Sequence, residues 1–136
     1  MTLNKKEDII ENNTNVVNVK VAYIRPTYNN LEEWCNDDNN IYIGRKSIVF
    51  INGVRYPKKD SIWCNPFKIN NTNNREQVIQ QYEKYILDKI SNDDLVDQLL
   101  LLNNKNLGCW CKDKNNTVCC HGDVLVDLIT RFLNKT

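Results

Sequence analysis

The sequence has little histidine, glycine or proline: one residue of the first, His121, with four and three of the others. No apolar run approaches the roughly 20 residues of a membrane-spanning helix, so a membrane is not expected as a partner. The N-terminal stretch Met1-Thr2-Leu3-Asn4-Lys5-Lys6 lacks the apolar segment of a secretory signal, which predicts an intracellular, cytoplasmic protein. Charge of one sign is missing too, with 18 Lys and Arg against 17 Asp and Glu. This excludes the broad basic surface that drives non-specific nucleic-acid binding, but not a local basic groove. There is no Walker glycine loop, no Gly-x-Gly-x-x-Gly and no His-x-Glu with Pro-Cys-x-x-Cys, which removes several nucleotide-enzyme classes. No internal repeat is present.

What remains is a chain of 136 residues, 41% of them hydrophobic, enough for one domain with one core. Its six cysteines, in a reducing compartment, read as buried small groups, metal ligands or reactive thiols rather than as three disulfides. Asparagine recurs in pairs such as Asn12-Asn13 and Asn39-Asn40, the mark of codon bias in an AT-rich genome. Residues 1 to about 15 are polar and aperiodic, which predicts a disordered tail ahead of a single compact domain over 16–136.

Val17, Val19, Val21 and Tyr23 alternate with more polar residues as in a half-buried strand. Thr27 to Asn40 reads as a surface excursion holding at most one helical turn around Leu31 and Trp34. Ile41 to Gly44 is a second short strand, and Asn52-Gly53 between two β-rich runs signals a hairpin with positive-φ turn residues. Asn74 caps a helix, with Gln77 reaching back, and Val78, Tyr82, Tyr85 and Ile86 form its apolar stripe. Ser91-Asn92 opens a second helix, Leu107 to Cys111 is a core strand, and Val124 to Phe132 is a final amphipathic helix. The expected fold is α/β (α+β), a small single sheet of about four to five strands with three helices mainly on one face.

The most informative stretch is Leu107 to Leu128. Alternation points Cys109 and Cys111 one way and Trp110 the other. A polar loop then returns the chain to Cys119, Cys120 and His121 at a helix start, where backbone N–H groups favour a thiolate or another anion. Three readings fit. Cys109, Cys111, Cys119 or Cys120, and His121 could hold zinc, although their spacing is not that of a standard finger. A strand thiol facing His121 could serve a thiol-dependent transferase or hydrolase. Alternatively, the cysteines are core residues and His121-Gly122-Asp123 simply caps a helix, leaving a non-catalytic interaction module. Elsewhere, Gly44-Arg45 could grip an anion, and Trp63, Asn65 and Phe67 could stack on and hydrogen-bond a planar ligand.

Tyr42-Ile43-Gly44-Arg45, Ser61 to Phe67, Arg75-Glu76, Leu107 to Cys111 and Cys120 to Leu125 together resemble the domain of unknown function 4326 family, met in bacteria, phages and large DNA viruses. The likeness covers about 41–133, leaving the excursion before Ile41 as a departure. It implies a site of Gly44, Arg45, Ser61, Asn65, Cys109, Cys111, Cys120, His121 and Asp123, with Cys119 as an extra cysteine and Cys64 where a small residue is usual. For a viral member the expected location is host cytoplasm or virion. The resulting expectation is a pocket binding or processing a nucleotide or nucleic-acid ligand. In it Gly44, Arg45, Ser61, Trp63 and Asn65 hold the ligand, and His121 or Asp123 handles a proton. Cys109, Cys111, Cys120 and His121 hold the site together, with zinc as the candidate cofactor.

Overall fold

Apolar alternation along three short strands decides the architecture. The computed structural model describes residues 12–110, 112 and 120–134. In chain order their elements are β1 (Asn15–Asn18), α1 (Val21–Ile24), α2 (Leu31–Asn36), β2 (Asn40–Tyr42), β3 (Val49–Ile51), β4 (Val54–Tyr56), α3 (Arg75–Asn92), α4 (Val96–Leu100), β5 (Asn106–Cys109) and α5 (His121–Leu133). The class is mixed α/β, as expected. The strands divide into a three-stranded parallel sheet in the order β1-β5-β2 and a separate antiparallel hairpin, β3-β4.

Val16 and Ile41 both lie opposite Leu107 in the parallel sheet. One face, carrying Val16, Leu107 and Cys109, joins Tyr82 and Ile86 of α3, Leu99 of α4 and Leu125, Leu128 and Ile129 of α5 in the main core. The opposite face, with Val17, Val19, Tyr42 and Trp110, packs on Leu31 and Trp34 and on Val49, Ile51 and Tyr56 of the hairpin. Helices therefore cover one face, while the short α1–α2 segment and the hairpin cover the other. A sheet buried on both sides is the usual state of parallel strands, whose crossovers run over their faces.

The excursion is thus part of the packed structure. Leu31 and Trp34 are both only 3% exposed. A Cβ on Gly108 would run into the Trp34 ring and Val19, so the missing side chain lets the indole lie against the β5 backbone.

Other expectations shift by a few residues. β1 ends at Asn18, whose side-chain oxygen accepts from the Lys20 N–H at 2.8 Å and turns the chain, so Val21 and Tyr23 fall in a helical turn. α3 runs through Ser91-Asn92 to its C-cap at Asp93. The following apolar cluster forms only the five-residue α4. Asn12 and Thr14 are fastened to the domain, Asn12 Nδ2 donating to Val126 O at 2.8 Å and Thr14 Oγ1 to Leu102 O at 3.4 Å. Residues 1–11 of the expected tail lie outside the described residues. No helix among the described residues is long and apolar enough to cross a membrane.

Candidate binding cavity

All three strands of the main sheet point the same way, so their carboxyl ends converge on one edge, the usual ligand position in open parallel sheets. Ile43 extends the β2 ladder, its N–H donating to Gly108 O at 2.9 Å. The chain then leaves the sheet at Gly44, while β5 delivers Trp110 and α5 begins at His121. Beside this edge lies a cavity of about 520 Å³ lined by Gly44, Arg45, Ile48, Asn65, Phe67, Lys68, Ile69, Arg75, Val78, Ile79, Trp110 and His121. Its described lining holds three permanent cations, Arg45, Lys68 and Arg75, and no carboxylate.

Arg45 joins two walls. Its Nε and one Nη donate to Asn65 O at 3.0 and 2.8 Å, and the same Nη donates to Phe67 O at 3.2 Å. The Asn65 side chain accepts from the Phe67 N–H at 2.9 Å, an Asx turn that shapes the loop. The far end of Tyr42 is fixed as well: Trp110 Nε1 donates to its hydroxyl at 2.9 Å, and the hydroxyl donates to Arg45 O at 2.7 Å. Burial pushes the Tyr42 phenol up to about 12, with the Trp110 hydrogen bond working the other way. A Cβ on Gly44 would collide with this phenol.

His121 is buried beneath the cavity. Its Nε2 lies 2.8 Å from Ile43 O, and because a carbonyl only accepts, Nε2 carries the proton. Nδ1 lies 3.6 Å from Cys120 Sγ, and Tyr82 stacks edge-on at 5.1 Å between ring centroids. Cys120 is the N-cap of α5 and accepts from the Gly122 N–H at 3.4 Å. Its sulfur lies 3.0 Å from Cys109 Sγ, and both thiols are fully buried.

The other expected residues sit apart. Asp123 accepts from the Cys120 N–H at 2.9 Å and from Lys112 Nζ at 2.7 Å, bordering a second cavity of about 430 Å³ with Lys112 and Asn106. Burial alone would lower the Lys112 amine, but the Asp123 hydrogen bond and charge raise it overall. Ser61 Oγ accepts from the Trp63 N–H at 3.0 Å, closing a turn. Trp63 is a core residue, 3% exposed, whose carbonyl accepts from Tyr82 at 2.6 Å. Cys64 is half-buried, and burial pushes its thiol up, away from the thiolate.

Gly44, Arg45, Asn65 and His121 are thus brought together in the cavity wall, while Ser61, Trp63 and Asp123 stand outside it. Cys109 and Cys120 pack beneath His121. Cys111 and Cys119 lie outside the described residues, and among those described no group of three or more His, Cys, Asp or Glu side chains is arranged to hold a metal. The sequence reading did not bring Lys68, Ile48 or Trp110 into the site. A usable signal was present in the charge distribution: the stretch from Gly44 to Arg75 holds seven of the 18 Lys and Arg but only Asp60 of the 17 Asp and Glu.

A family model described as "Domain of unknown function (DUF4326)" matches residues 27–131. Its span begins at Thr27, so the α2 segment lies inside the match rather than being a departure from it. The uncharacterized protein R718 of Acanthamoeba polyphaga mimivirus is 37% identical over 93 residues. The match spans 65% of this chain and 65% of that protein. No solved structure matches.

Proposed function

This chain belongs to the family of the domain of unknown function DUF4326, and we propose that it binds a nucleotide, either free or as the end of a nucleic acid, in the cavity beside the carboxyl edge of its parallel sheet. The observation that carries the reading is the composition of that cavity, whose described lining has three cations and no carboxylate among apolar and aromatic groups. Arginine and lysine suit phosphate oxygens, while Phe67, Trp110, Ile79 and Val78 suit a planar base. A nucleotide combines these two characters in one molecule. Binding is favoured over proton transfer at His121, because Nε2–H is committed to Ile43 O and Nδ1 faces Cys120.

Calorimetric titration with the four common nucleoside monophosphates and their unphosphorylated nucleosides tests this reading. At least one monophosphate should bind, its nucleoside about tenfold or more weaker, since charge-assisted phosphate contacts are worth roughly 1.5–3 kcal/mol each. Lys68→Gln should weaken the nucleotide and leave the nucleoside unchanged. Equal binding of both forms, or none of either, would sink it.

A second reading, a Cys/His zinc cluster, draws support from the hydrogen bond between His121 Nε2 and Ile43 O. A metal-binding histidine commonly donates its far N–H to a backbone carbonyl, as Nε2–H does here to Ile43 O, with Nδ1 3.6 Å from Cys120 Sγ. Elemental analysis of the purified chain decides it: one zinc per chain supports the cluster, and a metal-free protein that remains folded removes it.

A further inference from the structure

The hairpin beside the cavity has no role in the nucleotide reading, yet its outer face continues the same chemistry. Val49, Ile51 and Tyr56 turn inward onto the second core, so alternation turns Ile48, Phe50 and Arg55 outward. Ile48 is 42% exposed and Phe50 63%. Arg55, directly across the ladder from Phe50, stacks its guanidinium 4.4 Å from the ring centroid and is fixed by donating to Ser47 O at 3.1 Å. Lys46, Lys58 and Lys59 are also exposed, and the Asp60 carboxylate is engaged by the Lys46 N–H at 2.8 Å, while Glu32 lies on the Tyr56 side of the hairpin. Ile48 lines the cavity and Phe50 lies two residues further along the strand, so the outer face leads away from the cavity mouth in steps of roughly 6.6 Å.

Resting on the nucleotide reading, we propose that the ligand is single-stranded nucleic acid, with its terminal nucleotide in the cavity and the following strand laid along the outer face of the β3–β4 hairpin. The occupant follows from charge and shape together. Exposed cations call for a polyanion, and the exposed Ile48 and Phe50, the latter stacked with Arg55, call for one that also carries flat apolar groups. A duplex hides those groups in its stack; a single strand presents them.

Fluorescence anisotropy with a labelled twelve-nucleotide thymidylate strand, competed by thymidine monophosphate and by polyglutamate, reads this out on the full chain. The strand should bind about tenfold or more tightly than the monophosphate, within what one base–aromatic stack supplies. Polyglutamate should compete poorly. Replacing Phe50→Ala and Arg55→Gln, both on the exposed face, should abolish the gain and leave monophosphate affinity within about twofold. Equal affinity for strand and monophosphate, a gain that survives the double substitution, or equal competition by polyglutamate would overturn the proposal while the cavity reading stands. Failure of every monophosphate to bind would instead count against the cavity reading, and this proposal would fall with it.

Discussion

At the scale of single residues, the site depends on groups that each hold two neighbours. His121 ties Ile43 of the β2 end to Cys120 at the start of α5. Gly44 leaves room for the Tyr42 phenol, so Gly44→Ala should cost about 1–3 kcal/mol in chemical denaturation, the usual range for overpacking. Tyr42 also carries a pH signature. Its phenol, pushed up from 10 to about 12 by burial, binds its proton more tightly in the folded state than in the unfolded chain. The resulting stability is complete below pH 10 and is lost as pH rises towards 12. Tyr56 is pushed up to about 12 as well, so the comparison is with Tyr42→Phe, which should lose less stability over that window than the parent. Asp123 caps α5 and pairs with Lys112 away from the cavity. Asp123→Ala should cost roughly 1 kcal/mol of stability and leave nucleotide affinity unchanged.

At the scale of elements, local chemistry was the most legible. Asn52 and Gly53 adopt φ of 54° and 79°, as the Asn-Gly hairpin signal requires, and Asn74 with Gln77 forms the expected capping box. The alternation of Cys109 against Trp110 also holds, because strand periodicity is a property of the backbone itself. Illegible were the features set by distant partners. Trp34 looks like a stray aromatic in a polar segment until Gly108, far along the chain, supplies the bare backbone on which it rests. Trp34→Ala should accordingly destabilise the protein by about 3–5 kcal/mol, as truncation of a buried aromatic does. A loss of under about 1 kcal/mol would show that α2 is not an integral cover of the sheet. Ser91 and Asn92 misled in the opposite way: they form the last turn of α3, which closes at Asp93, and the chain turns at Asp94, with φ of 54°, before the short α4.

At the scale of the whole molecule, a nearly neutral chain conceals a division of charge. The stretch from Gly44 to Arg75 gathers seven cations around one carboxylate, and the fold turns three of those cations towards one cavity. Overall composition averaged this away, whereas Gly44, Arg45, Asn65 and His121 could be anticipated because each stands next to a turn or helix start. The three tryptophans provide an internal test of where ligand binds. Trp34 and Trp63 are buried in the two cores, whereas Trp110 lines the cavity. Titration of nitrogen-15-labelled protein with a nucleoside monophosphate should shift the Trp110 indole resonance together with the backbone amides of Gly44, Arg45 and Lys68, leaving the other two indoles in place. Shifts centred on Lys112 and Asp123, or a saturating titration that leaves the Trp110 indole unmoved, would contradict the assignment of this cavity as the nucleotide site.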